Sequence, residues 1–183
     1  MKTCAYCGQQ YPEDTLVRPV DQQPLEALSE TRKNVTGTWR GSYTGPKGDD
    51  SAPVPFTLEL KQGWFGHFTG QVSEDPTLGM PGRGTIDGYF GFPNIHFVKR
   101  MPVCYVRSQA GGWITLRQHL RMEGFACEHD REHPPVIYQG AFFEPNRARG
   151  TWIIGGWFVP LPGDESYPFA EVSGDWTLEF AGP

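Results

Sequence analysis

No stretch of this chain is apolar for the ~20 residues that a bilayer-spanning helix needs. The opening "MKTCAYCGQQ" has no apolar run of the kind a secretory signal carries, and the expectation is a soluble, cytoplasmic protein. Charge is sparse: 20% of the 183 residues, with 16 Lys and Arg scattered among 21 Asp and Glu. No basic face for nucleic acid is therefore expected. Cysteine is scarce as well, four in all, and in a reducing compartment thiols or metal ligands are favoured over disulfides. The sequon Asn34-Val35-Thr36 has meaning only in a secreted chain. Catalytic signatures are missing: no G-x-S-x-G, no phosphate loop, no H-E-x-x-H. "GMPGRGTIDG" has glycines at the wrong spacing for a dinucleotide loop and reads as turn chemistry between strands. Helical periodicity is nearly lacking too. Only "PLEALSETRKN" (24 to 34), with Pro at a good first helical position, reads as a short helix.

What is abundant is glycine, proline and aromatic residues: 23 Gly, 17 Pro and 14% Phe, Trp and Tyr. That mixture reads as many short strands joined by tight turns. From Gly37 onward the hydrophobic period is two. "GTWRGSYT" sets Gly37, Trp39, Gly41 and Tyr43 against Thr38, Arg40, Ser42 and Thr44. "VPFTLELKQ" (54 to 62), "WFGHFTGQV" (64 to 72), "GTIDGYF" (84 to 90) and "NIHFVKR" (94 to 100) continue the alternation, with "PVCYV" (102 to 106) as a short strand or bent extension. "WITLRQHL" (113 to 120), "VIYQGAFF" (136 to 143), "GTWIIGGWF" (150 to 158) and "VSGDWTLEF" (172 to 180) complete the set. The fold class is all-β: a closed up-and-down antiparallel barrel of about 8–10 strands, preceded by the short helix and a Cys-x-x-Cys arm. Residues 1–23 form the arm and 24–183 the barrel.

Closure explains why G-x-W stands at both ends of this stretch, as Gly37-x-Trp39 and Gly174-x-Trp176. A meander has two exposed edges, and pairing the first strand with the last removes both. Both indoles then turn inward, among glycines that let a narrow barrel coil and leave room for rings. A two-sheet sandwich would show the same alternation. The expected lining is Trp39, Tyr43, Phe56, Trp64, Phe68, Tyr138, Trp152 and Trp176, with Tyr43, Gln118 and Tyr138 as polar tips.

"TGTWRGSYTG" resembles the first strand of the calycins, the superfamily of lipocalins, avidins and fatty-acid-binding proteins, whose strand A often carries G-x-W. That resemblance implies a lipocalin-like barrel, with a short helix capping one end, that binds a small molecule. The last strand has no arginine, so the lipocalin habit of stacking one on the strand-A tryptophan does not carry over. Gly37-Thr38-Trp39-Arg40-Gly41 is also similar to the haem-binding barrels of the nitrobindin type, whose axial histidine lies near the C-terminus. No histidine here follows His133, and haem is not expected.

Cys4-x-x-Cys7-Gly8 resembles half a zinc knuckle: two thiolates reach one ion across a tight turn. Tetrahedral closure needs two more ligands, and "ACEHDREHPP" offers Cys127, His129 and His133, with the histidines at a zinc-finger spacing. Structural zinc would staple the arm to that loop. Free thiols or a redox pair are the alternatives, although no βαβ pattern follows the motif. Cys104 reads as a small buried hydrophobe.

Three functions remain in play. The first is a non-enzymatic barrel for a small apolar or aromatic ligand. The second is a solid-cored structural or protein-interaction module. The third is an enzyme using Glu128, His129, Asp130 and Glu132. Binding is favoured, because an apolar barrel with a few polar tips is a common pocket design.

Overall fold

The computed structural model describes residues 2–3, 10–11, 34–46, 51–108, 111–161 and 166–183. Cys4, Cys7 and the expected helix over 24–34, except its last residue Asn34, lie outside them. Two short strands, β1 (Lys2–Thr3) and β2 (Gln10–Tyr11), pair antiparallel. The body then runs through β3 (Gly37–Tyr43), β4 (Val54–Gln62), β5 (His67–Glu74), β6 (Arg83–Gly91) and β7 (Asn94–Arg100). β8 (Tyr105–Arg107), β9 (Trp113–Thr115) and helix α1 (Leu116–Met122) follow. The chain ends with β10 (Val136–Glu144), β11 (Arg147–Ile154), β12 (Trp157–Pro160), β13 (Ser166–Phe169) and β14 (Val172–Gly182).

Eight strands close into one antiparallel barrel in the order β3-β4-β5-β6-β7-β10-β11-β14 and back to β3. Each neighbours the next barrel strand in sequence, so the topology is up-and-down. The closing seam is the one anticipated from the two G-x-W phrases. β14 pairs with β3, setting Phe180 opposite Trp39 and Trp176 opposite Tyr43. Both indoles are buried, at 0% and 1% exposure. A sandwich is thereby ruled out.

One end of the barrel is a plug of rings. Trp39 packs edge-on to Phe142 and Phe180 at 5.5 and 5.1 Å, and Phe90 meets Phe142 at 5.4 Å. The Trp39 indole donates to the carbonyl of Val35 at 2.9 Å, which satisfies its only polar atom in a dry setting. The middle layer is equally full: Phe97 stacks on Tyr138 at 4.6 Å and meets Trp176 edge-on at 5.7 Å. Glycine makes that density possible. A Cβ on Gly140 would meet the carbonyl of Arg149 and would lie 2.6 Å from Cζ2 of Trp176.

Two insertions interrupt the meander. β8, β9 and α1 stand between β7 and β10, and the β12–β13 hairpin stands between β11 and β14. Each is apolar on one face, and they bury those faces together. Cys104, Leu116, Leu120, Cys127, Val159 and Leu161 form a second core apart from the barrel's own.

Three expectations need correction. Residues 113–120 are not one strand: Thr115 stops β9 and starts α1. Its hydroxyl accepts from the Gln118 amide while the Gln118 side chain accepts from the Thr115 amide, so Gln118 caps a helix and is not a polar tip of the interior. Residues 150–158 break at Gly155-Gly156, and Trp157 begins a hairpin outside the barrel. Trp64 is not in the lining. It sits in the turn between β4 and β5, 87% exposed, because Phe65 and Gly66 adopt left-handed conformations (φ 54° and 80°) that end the strand alternation there.

Candidate functional site

The end opposite the plug is a mouth. It holds a cavity of about 310 Å³. Tyr43, Tyr138 and Trp152 from the expected lining surround it, joined by Tyr105 and Trp113 of the first insertion. The remaining expected residues do other work: Trp39, Phe56, Phe68 and Trp176 are core. Met80, from the 74–82 loop, contributes an apolar edge.

The floor is polar, which the aromatic pattern did not announce. On β5, Phe68 and Val72 face inward, and Glu74 continues that phase. On β7, Ile95 and Phe97 face inward, and Lys99 continues theirs. The two therefore meet inside, as an ion pair between Lys99 Nζ and Glu74 Oε1 with side chains only 4% and 1% exposed. The other carboxylate oxygen accepts from the Tyr43 hydroxyl at 2.8 Å and from the Met80 amide at 2.7 Å. A buried charge pair persists only when its remaining lone pairs are satisfied, and here they are.

The neighbours titrate accordingly. Burial pushes the Tyr43 hydroxyl well above the ordinary tyrosine range, and the Glu74 charge adds to the shift. Burial likewise raises Tyr138, against the pull of Lys99. For Lys99, burial works against the charge, but the Tyr138 and Glu74 oxygens outweigh it and hold the ammonium above its usual value. His133 also lines the cavity, and burial, assisted by Lys99, drives its pKa down to about 4. Its Nδ1 lies 2.6 Å from the Pro134 carbonyl oxygen. That contact makes Nδ1 the N–H of a neutral ring.

Arg107 stands at the rim. Its guanidinium donates to the carbonyl of Leu78 at 2.7 Å and lies 4.8 Å from the centre of the Trp113 ring. The Trp152 indole donates to the carbonyl of Thr44 at 3.1 Å, which fixes that wall.

The proposed metal ligands are spread over different surroundings. Cys127 is buried in the second core, its thiol donating to the His129 carbonyl at 3.4 Å. The His129 side chain is 89% exposed, and His133 faces the mouth. Among the described residues no three His, Cys, Asp or Glu side chains are grouped to hold a metal. A larger hollow, about 580 Å³, lies along residues 126–131 and Pro160–Leu161, and Cys127 and His129 both line it. Among the described residues it has no aromatic wall, and Glu128, Asp130 and Glu132 are exposed. His67 and His119 face away from the interior, toward Asp87 (3.2 Å) and the Tyr167 hydroxyl (3.4 Å).

Among the described residues no helix is long and apolar enough to cross a membrane. No protein-family model, curated protein or solved structure matches the chain.

Proposed function

We propose that this chain is a non-enzymatic binding barrel for a small, largely apolar or aromatic molecule, held at the mouth and not along a hollow axis. The carrying observation is the cavity of about 310 Å³ whose walls are the rings of Tyr43, Tyr105, Trp113, Tyr138 and Trp152. That volume is at the small end of ligand sites, which run from about 300 Å³ upward. Ring contacts contribute about 0.5–1.5 kcal/mol each beyond burial, and two or three with desolvation support micromolar affinity, about 8 kcal/mol. The eight-stranded up-and-down closure supports kinship with the calycins, in which a barrel end receives the ligand.

The neutral fluorophore N-phenyl-1-naphthylamine tests the reading. Its emission should rise saturably at one equivalent. Val172→Trp, at a half-buried mouth position, should abolish the rise by filling the cavity. Emission that does not saturate, or is indifferent to Val172→Trp, argues for the second reading, a solid-cored interaction module. That reading draws on the filled plug and on Trp64 and Phe65, 87% and 91% exposed at one turn.

For zinc, the geometry favours Cys127 and His129, which share one hollow, as partners for Cys4 and Cys7. His133 lines a different cavity and is the poorer candidate. When bound, the ion would act as a structural staple.

A further inference from the structure

Among the described residues, the side chains that line the mouth include two cations, Lys99 and Arg107, and no carboxylate. Lys99 is neutralised from below by Glu74. Arg107 is not: among the described residues its donors reach only the carbonyls of Leu78 and Gly111, at 2.7 and 3.5 Å. Beside it, Trp113 lines the same cavity, and its indole N–H is buried with no acceptor among the described residues. A buried donor without an acceptor is unfavourable, and a ligand that brings one relieves it. Among the described residues the mouth is therefore rich in donors, carries one uncompensated positive charge, and is walled by rings.

Accepting the binding function proposed above, we infer that the mouth selects an aromatic anion: a planar ring carrying one acid group. The ring lies among Trp152, Tyr105 and Trp113. The acid group is taken by the Arg107 guanidinium, whose paired N–H donors suit a carboxylate, with the Trp113 indole as the neighbouring donor. The first insertion thus sets specificity, while the barrel supplies the apolar wall.

The test is a matched pair, 2-naphthoate and 2-naphthamide, which share shape and differ in charge, titrated calorimetrically into the whole protein at neutral pH. The naphthoate should bind about tenfold more tightly, and added salt should narrow the gap. Arg107→Gln should bring the two within about twofold, with naphthoate losing far more affinity than naphthamide; Arg107 is exposed and its loss empties no core. Arg107→Lys, which keeps the charge, should preserve most of the preference and guards against a folding artefact in the first variant. A wild-type preference below about threefold, or one that survives Arg107→Gln, overturns the inference and leaves the binding function standing. If neither compound binds, the binding function itself falls and the inference with it.

Discussion

Replacing Lys99 with Met should cost far more than a surface lysine would, and the structure says why. The ammonium is 4% exposed and its partner carboxylate 1% exposed. Removing it leaves Glu74 inside the barrel with, among the described residues, only the Tyr43 hydroxyl and the Met80 amide as donors. Breaking one side of a buried pair costs about 3–5 kcal/mol. For a chain of this size each kcal/mol lowers Tm by about 2–4 °C, so a fall of roughly 10 °C is expected. Glu74→Gln should be comparably costly, since it strands the ammonium. The double variant, Lys99→Met with Glu74→Gln, removes both charges and should recover much of the loss. A coupling energy of about 2–3 kcal/mol should emerge from the cycle. Urea denaturation at neutral pH measures all four proteins. If each single change costs less than about 1 kcal/mol and the two simply add, the pair is not buried as described, and the polar floor of the mouth is wrong.

Acid should weaken the fold through His133. Its folded pKa of about 4 lies below the ordinary 6.5, so between those values the unfolded chain takes up a proton that the folded chain refuses. Its contribution is intact above about pH 6.5 and drains as pH falls toward 4; the upper limit is about 3 kcal/mol, cut to about 1–2 by partial exposure. Wild type minus His133→Gln, compared by denaturation at several pH values, should show that drain; a difference flat with pH refutes it. Gly140→Ala should cost about 1–3 kcal/mol in thermal melts, since its methyl would lie 2.6 Å from the Trp176 ring; a neutral result would show that the barrel wall yields there. Protein prepared without chelator should carry about one equivalent of zinc by elemental analysis, lost on Cys4→Ser or Cys127→Ser but retained on His133→Gln. Metal-free wild type would remove the staple.

The barrel was legible because alternation at period two shows which face of a strand is buried without knowing its partners. The matched phrases around Trp39 and Trp176 then supplied the closure. Trp64 was misplaced because the alternation was carried back from Phe68 into a turn that Gly63 and Gly66 already marked. The α1 helix had its own signal, Thr115 three residues before Gln118 with Leu116 and Leu120 one turn apart, and the strand-like Trp113-Ile114-Thr115 that leads into it hid the change of period. Lys99 lay within the expected strand 94–100, in phase with Ile95 and Phe97, and Glu74 two residues past the expected strand 64–72, in phase with Val72, but a charge near a strand end usually means solvent. Their meeting was not visible, because sequence does not show which strand ends converge at the mouth. Arg107 and Trp113 were beyond reach altogether, since an insertion's place over a barrel is set by packing between two distant segments, 104–127 and 157–169.

Whether a ligand enters the mouth can be read from the indole region of a ¹H–¹⁵N spectrum during titration with 2-naphthoate, because the tryptophans mark different parts of the molecule. Trp113 and Trp152 line the cavity, Trp39 lies in the plug at 0% exposure, and Trp64 projects from a turn at 87%. The account predicts saturable shifts of the Trp113 and Trp152 indole signals, while those of Trp39 and Trp64 stay in place. Shifts led by Trp64, or no saturable shift at either mouth indole, would contradict it.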